Sequence, residues 1–226
     1  RGHSRQRSSS STQSIMSAFA LSAASANVAA FAKQPRSIKA RSARRAAVTT
    51  TAGVKVGDAA PDFTLMGPGF EQTTLSSLKG QKVVLAFFPA AFSGDEEGGC
   101  QCQLAALQSI AQEDGITVLG ISKDTPFAMG KWSADIKIKC LADMKNEVAE
   151  QYVGTFDLGK FLDDLNISKG FAGYVTSNRG CVVLDAEGKV VYTWVGLDDK
   201  GNSHPGILPP TTEIQKALGI GKVNLA

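Results

Sequence analysis

The sequence predicts an α/β protein, a sandwich with helices packed on a mixed central β-sheet. Three observations predict it. Val83–Phe88 and Ile116–Ser122 are short, almost wholly apolar runs, the length and composition of buried strands. Stretches with helical start and stop signals stand between and after them. Gly180–Gly196 then reads as a hairpin, two apolar strands around Ala186-Glu187-Gly188, followed by one closing helix.

The elements follow in order. Val56–Leu65 gives a turn and a short strand, and Gly67–Phe70 a further turn. Thr73–Gly80 reads as a short strand and a single helical turn stopped by glycine. After the strand at 83–88, Pro89 cannot donate to a sheet ladder and stops it. Leu104, Leu107 and Ile110 have helical spacing, which predicts a helix over 99–113, ended by Gly115. Asp124 or Thr125 caps the next helix, with Pro126 at its first position and Trp132 on its core side. Ile136–Leu141 alternates like an edge strand. Asn146–Val153 is helical, and Phe161–Leu165 reads as another helical turn. Pro209–Gly219 is the last helix, with a threonine cap and a glycine stop.

Charge divides the chain in two. Residues 1–57 carry 10 Lys+Arg and no acid; the whole chain's 24 Lys+Arg less those 10 leaves 14 against 21 acids in residues 58–226, a net of −7. An acidic folded part argues against nucleic acid and anionic membrane as partners. Met16 to about Thr51 is rich in Ala, Ser and Arg, and its apolar part, 18–32, is too short to span a bilayer. That is the composition of an organelle transit peptide and resembles green-algal plastid leaders. Residues 1–52 are therefore expected to be a disordered leader, with Met16 as the natural start, and 53–226 the folded domain, working in the chloroplast. Four cysteines, Cys100, Cys102, Cys140 and Cys181, are too few for a disulfide-stapled secreted fold. They fit a reducing compartment with one reactive site.

Five segments in order carry a resemblance. Gly57–Leu65 reads GDAAPDFTL and Leu75–Ser93 reads LSSLKGQKVVLAFFPAAFS. Val118–Trp132 reads VLGISKDTPFAMGKW, Leu141–Tyr152 LADMKNEVAEQY, and Asn178–Val190 NRGCVVLDAEGKV. Together they resemble the peroxiredoxins, the alkyl hydroperoxide reductase and thiol-specific antioxidant family, over about residues 54–195. The resemblance implies a thioredoxin-like three-layer sandwich with a mixed central β-sheet. It implies a thiol peroxidase, active on a peroxide with a thioredoxin-like reductant, without a cofactor and commonly assembled as dimers or larger rings. No metal site is expected from the residues, because C-G-G-C spacing is absent and Cys140 and Cys181 would have to converge with no histidine nearby. In that family a proline, a Ser/Thr hydroxyl and a distant arginine surround a cysteine thiolate that attacks the O–O bond and becomes a sulfenic acid. Pro89, Ser93 and Arg179 match three of these four parts.

The fourth departs from the pattern. The spacing from Pro89 and Ser93 puts Glu96 in the nucleophile's register, and a carboxylate forms no sulfenic acid. Cys100 lies four residues on. In a helix begun at the usual place it sits about one turn, roughly 6 Å, deeper; in a helix begun at Cys100 its thiol stands at the N-terminus. Cys100 and Cys102 flank Gln101. Such a pair closes a strained disulfide only in a loop or frayed turn, because helix residues i and i+2 point apart. The alternative is one partly buried and one solvent-facing helix cysteine. Ser93 either orients peroxide or caps the helix. Arg179 either holds a thiolate or pairs with Glu96. Cys181 reads as core, Cys140 as the inward side of an edge strand or a resolving thiol, and His204 as surface.

Two functions remain open on these residues. One is a plastid thiol-dependent peroxidase using Cys100, with Cys102 as resolving thiol. The other is a thioredoxin-fold subunit or regulator that has lost its nucleophile and is bound to a larger chloroplast complex. A Cys100 sulfur within about 4–5 Å of Arg179 and Ser93, with room for a small ligand, favours the enzyme.

Overall fold

The computed structural model describes residues 53–94 and 98–221. The expected leader at 1–52 and Glu96 lie outside the described residues. Seven strands form one sheet: β1 (Thr64–Met66), β2 (Gln72–Thr74), β3 (Lys82–Phe87), β4 (Ile116–Ser122), β5 (Lys139–Ala142), β8 (Gly180–Leu184) and β9 (Val190–Val195). Their spatial order is β2-β1-β5-β4-β3-β8-β9. β3, β4 and β5 run parallel, while β8, β9 and the β1–β2 pair are antiparallel to their neighbours. Strands β6 (Thr155–Asp157) and β7 (Val175–Ser177) make a separate two-stranded ribbon. The helices are α1 (Cys100–Ala105), α2 (Pro126–Ile136), α3 (Glu147–Tyr152), α4 (Leu158–Asp164) and α5 (Thr211–Leu218). This is the mixed-sheet α/β sandwich the sequence predicts.

The pleat of β3 generates the layers. Successive side chains of a strand point to opposite faces. Val84, Ala86 and Phe88 join Leu104, Trp132, Ile214 and Leu218 in a core under α1, α2 and α5. Val83, Leu85 and Phe87 face the other way, into a core with Val148, Ala149 and Tyr152 of α3. Both cores are tied by aromatic pairs: Phe88 meets Trp132 edge-on at 4.8 Å, and Phe87 stacks on Tyr152 at 5.7 Å. Trp132 is core, as its place in the pattern requires.

Three local expectations are corrected. The helix expected over 99–113 ends at Ala105 and gives way to turns and a 3₁₀ segment at Ile110–Gln112. Leu104, Leu107 and Ile110 are all fully buried. Their strict spacing of three is the period of a 3₁₀-helix, in which i and i+3 eclipse, not the 3.6 of an α-helix. Bonds of that type, Leu107 N–H to Leu104 O and Gln108 N–H to Ala105 O, carry the turn. Second, Ile136 belongs to α2, Lys137 closes that helix in the left-handed region, and the strand starts at Lys139. It is no edge either, because the β1–β2 hairpin returns from far along the chain to cover it, through Met66 opposite Ala142. Third, Pro210 caps α5 and the threonines lie inside it, though Gly219 does stop it in the left-handed conformation.

Candidate active site

The carboxyl ends of parallel strands are where an open α/β sheet leaves a crevice. Beyond β3, Phe88 donates to Ile121 O and Pro89 closes the strand. Two hydroxyls from β7 fix this corner: Thr176 Oγ1 donates to Pro89 O at 2.6 Å and Ser177 Oγ to Phe88 O at 3.0 Å. The Ala91 N–H then donates to Asp124, whose carboxylate also accepts from Ser122 Oγ, both at 2.7 Å. The loop beyond carries Ser93. Its return depends on Gly98, at φ 87, where a Cβ would stand 2.9 Å from the carbonyl oxygen of Gly206. Only glycine allows both that turn and that close approach. Gly99 caps α1, so Cys100 is the first helical residue, the second of the two placements left open by the sequence.

Cys100 is 2% exposed, and so is Arg179, from the corner between β7 and β8. Arg179 Nη2 lies 3.6 Å from Cys100 Sγ and 2.8 Å from Gly98 O. Nη1 donates to Gln103 Oε1 at 2.8 Å and to Gly99 O at 3.3 Å, and Nε donates to Pro205 O. A guanidinium has five N–H donors. All five have acceptors among the described residues, and one of them is the sulfur. Burial is the largest influence on the guanidinium and lowers its pKa from the ordinary value, with the charge and hydrogen bond of Cys100, and the charge of Cys102, acting in the opposite direction. Arginine remains cationic under such conditions. A thiolate at Cys100 would therefore lie against a fixed positive charge in a water-poor site, where the attraction is stronger than in bulk solvent.

A cavity of about 420 Å³ opens over this pair. Pro89, Ser93, Cys100 and Arg179 line it, so four of the predicted site residues converge. Cys102 is half-buried and is not among the lining residues, and Glu96 is outside the described residues. Two contributions were not read from the sequence. Gln103 sits one turn beyond Cys100 and is 1% exposed; its Nε2 donates to Phe87 O and Gly180 O while its Oε1 receives Arg179. The i, i+3 spacing to Cys100 was a usable signal. His204, read as surface, lines the cavity, and no local pattern announces it. The opposite wall is apolar, from Leu158, Phe161, Leu162 and Leu165 on and after α4. Asp157 caps that helix through Lys160 N–H at 2.8 Å and also accepts from Gly173 N–H.

The other thiols are of a different kind. Cys140 and Cys181 are wholly buried, and burial pushes each up to about 12 from an ordinary 9.0. Both stay protonated near neutrality, so neither is a ready nucleophile. A raised folded-state pKa means that the unfolded chain loses its protons first. The contribution of these thiols to stability is then complete below about pH 9 and drains away between 9 and about 12. Alkylation of the native protein at pH 8 is expected to spare Cys140 and Cys181, and the urea midpoint to fall between pH 8 and pH 10.5. Rapid labelling of either residue in the folded protein overturns this.

Fold and site together define a thioredoxin-fold protein with a buried thiol–arginine centre. The AhpC/TSA family pattern matches residues 56–193, and the chain belongs to that family, the peroxiredoxins. The chain is 29% identical to the thiol peroxidase of Bacillus subtilis over 73% of its own length and 89% of that protein's. It is also 29% identical to peroxiredoxin Bcp of Escherichia coli K12, over 69% of this chain and 93% of that one. Among solved structures, a peroxiredoxin-like protein from Aquifex aeolicus superposes with a TM-score of 0.56 at 21% identity, over 75% of this chain and 90% of that one. At that identity the likeness speaks for the fold.

Proposed function

We propose that this protein is a thiol-dependent peroxidase whose attacking group is Cys100. The observation that carries the reading is the 3.6 Å approach of Arg179 Nη2 to Cys100 Sγ on the wall of a cavity shared with Pro89 and Ser93. The Cys100 thiolate attacks the terminal peroxide oxygen; an S–O bond forms, the O–O bond breaks, and its electron pair leaves on the other oxygen. That oxygen takes up a proton and departs as water or an alcohol, leaving a sulfenic acid. A second thiol then attacks the sulfenic sulfur, releasing water and forming a disulfide, which a dithiol reductant of the thioredoxin class reduces.

Cys102 is our candidate for the second thiol. It stands two residues along α1, so pairing with Cys100 requires the first turn to open. Several features favour such opening. α1 has six residues, its Gly99 cap supplies no side-chain hydrogen bond, and helices this short have little stability of their own. For location we infer a plastid, on the acid-free Ala/Ser/Arg-rich composition before residue 52.

The test is peroxide consumption with dithiothreitol and with thioredoxin, together with trapping of a sulfenic acid by a 1,3-dione and mass mapping. Turnover with the adduct on Cys100 is expected. A mature protein inert to every hydroperoxide, found only within a stable complex, favours the nucleophile-free subunit instead. A reporter fused to residues 1–52 that stays outside plastids overturns the location.

A further inference from the structure

We propose that His204 is a substrate-contacting hydrogen-bond donor of this site, aimed at the oxygen that departs when the O–O bond breaks. The inference rests on the peroxidase reading above. Its starting point is the full occupation of the guanidinium. Each of the five Arg179 N–H groups already meets Gly98 O, Gly99 O, Pro205 O, Gln103 Oε1 or Cys100 Sγ. Arg179 can steady the sulfur, but it has no further N–H to turn toward a substrate oxygen without abandoning one of these. The negative charge that develops on the departing oxygen needs donors other than that guanidinium: the backbone N–H groups at the start of α1 are one source and a side chain is the other. Of the side chains around the cavity, Ser93 and His204 carry the remaining donor chemistry.

Four links place the imidazole. His204 N–H donates to Gly196 O at 2.9 Å, and Gly196 N–H donates to Arg179 O at 2.8 Å, so the residue is tied to the backbone of the site arginine. The neighbouring Pro205 O accepts from Arg179 Nε. The ring stands edge-on to Phe161 at 5.6 Å, against the wall formed by α4. Its Nδ1 accepts from Gly206 N–H at 3.3 Å. A nitrogen that accepts carries no proton, so the neutral ring keeps its hydrogen on Nε2, which is left as a donor for a guest. The role is that of a neutral hydrogen-bonding electrophile. In the step itself the thiolate sulfur bonds to the terminal oxygen, the O–O pair moves to the other oxygen, and His204 Nε2–H bonds to that oxygen as it becomes alkoxide or hydroxide. The proton that completes the alcohol or water is the equivalent of the one the Cys100 thiol gave up. His204 keeps its own.

The test uses the full chain with cumene hydroperoxide and hydrogen peroxide, single-turnover kinetics of peroxide reduction, and circular dichroism to confirm the fold. His204→Phe preserves a ring against Phe161 and removes the donor; a fall on the order of 10²-fold in the single-turnover rate of peroxide reduction is expected. His204→Gln sets an amide N–H near the Nε2 position and is expected to retain most of the rate, whereas His204→Asn, whose amide reaches only the Nδ1 position, is not. A wild-type single-turnover rate in His204→Phe overturns the proposal. So does equal impairment of His204→Phe and His204→Gln, which marks a purely steric role. If His204→Phe fails to fold, the Gln-against-Asn contrast decides, and equal rates in those two overturn it. A wild-type protein without Cys100-dependent turnover overturns the peroxidase reading along with this one.

Discussion

Cys100→Ser is expected to reduce peroxide consumption to the background of the buffer, a loss of at least about 10³-fold, because a serine oxygen can neither ionise near neutrality nor accept an oxygen atom. The effect on folding is expected to be small. Cys100 is 2% exposed within the core that contains Phe88 and Leu104, and serine is close to it in size. Its hydroxyl oxygen can accept the hydrogen bond that Arg179 Nη2 makes to sulfur, so a change under about 1 kcal/mol is expected by urea unfolding. Single-turnover kinetics separates the two thiols of the pair. Cys100→Ser should lose the initial burst of peroxide reduction, whereas Cys102→Ser should keep a burst of about one peroxide per chain, since only the later disulfide step needs a second thiol. Persistence of the burst in Cys100→Ser assigns the chemistry elsewhere and ends the proposal.

Arg179→Met is expected to strike activity and stability together. Methionine fills a similar length but leaves Gly98 O, Gly99 O, Pro205 O and Gln103 Oε1 without the donor they share. An unpaired buried acceptor costs about 1–3 kcal/mol, but of these four only Gln103 is fully buried, and water reaches the half-buried Gly98, Gly99 and Pro205. A drop of about 2–3 kcal/mol in unfolding free energy follows. Peroxide turnover should fall on the order of 10²–10³-fold, through loss of the cation beside the sulfur and loosening of the turns that hold it. Arg179→Lys keeps the charge but offers three donors in a compact head in place of a planar fork. It should recover part of the rate and little of the stability. An Arg179→Met protein with an unchanged urea midpoint shows that this network does not hold the site together.

The fold was legible where one strong periodicity acted alone. β4 coincides with its predicted range and β3 nearly so, because apolar runs of six or seven β-rich residues have few other places to go. Thr125 caps α2 with Pro126 at its first turn as expected, since both signals act over four residues. The length of α1 was misread because a three-residue and a 3.6-residue period differ little over two turns. β5 was placed at an edge because its lysines alternate with buried residues; the strand that covers it comes from residues 64–66, more than seventy positions away.

Composition and local spacing by themselves determined the α/β layering and the buried strands near 83–88 and 116–122, because those features depend on residues close together in the chain. Pro89, Ser93 and Arg179 were legible only through the resemblance to a family motif, and Cys100 stood outside that motif's register. Only the tertiary structure decided that Cys100 faces Arg179, that Gln103 and Pro205 occupy the rest of that guanidinium, and that His204 and α4 wall the cavity. The arginine's contacts alone join positions 26 to 81 apart, and their geometry is set by the way the sheet stacks its layers, which no short stretch of sequence encodes.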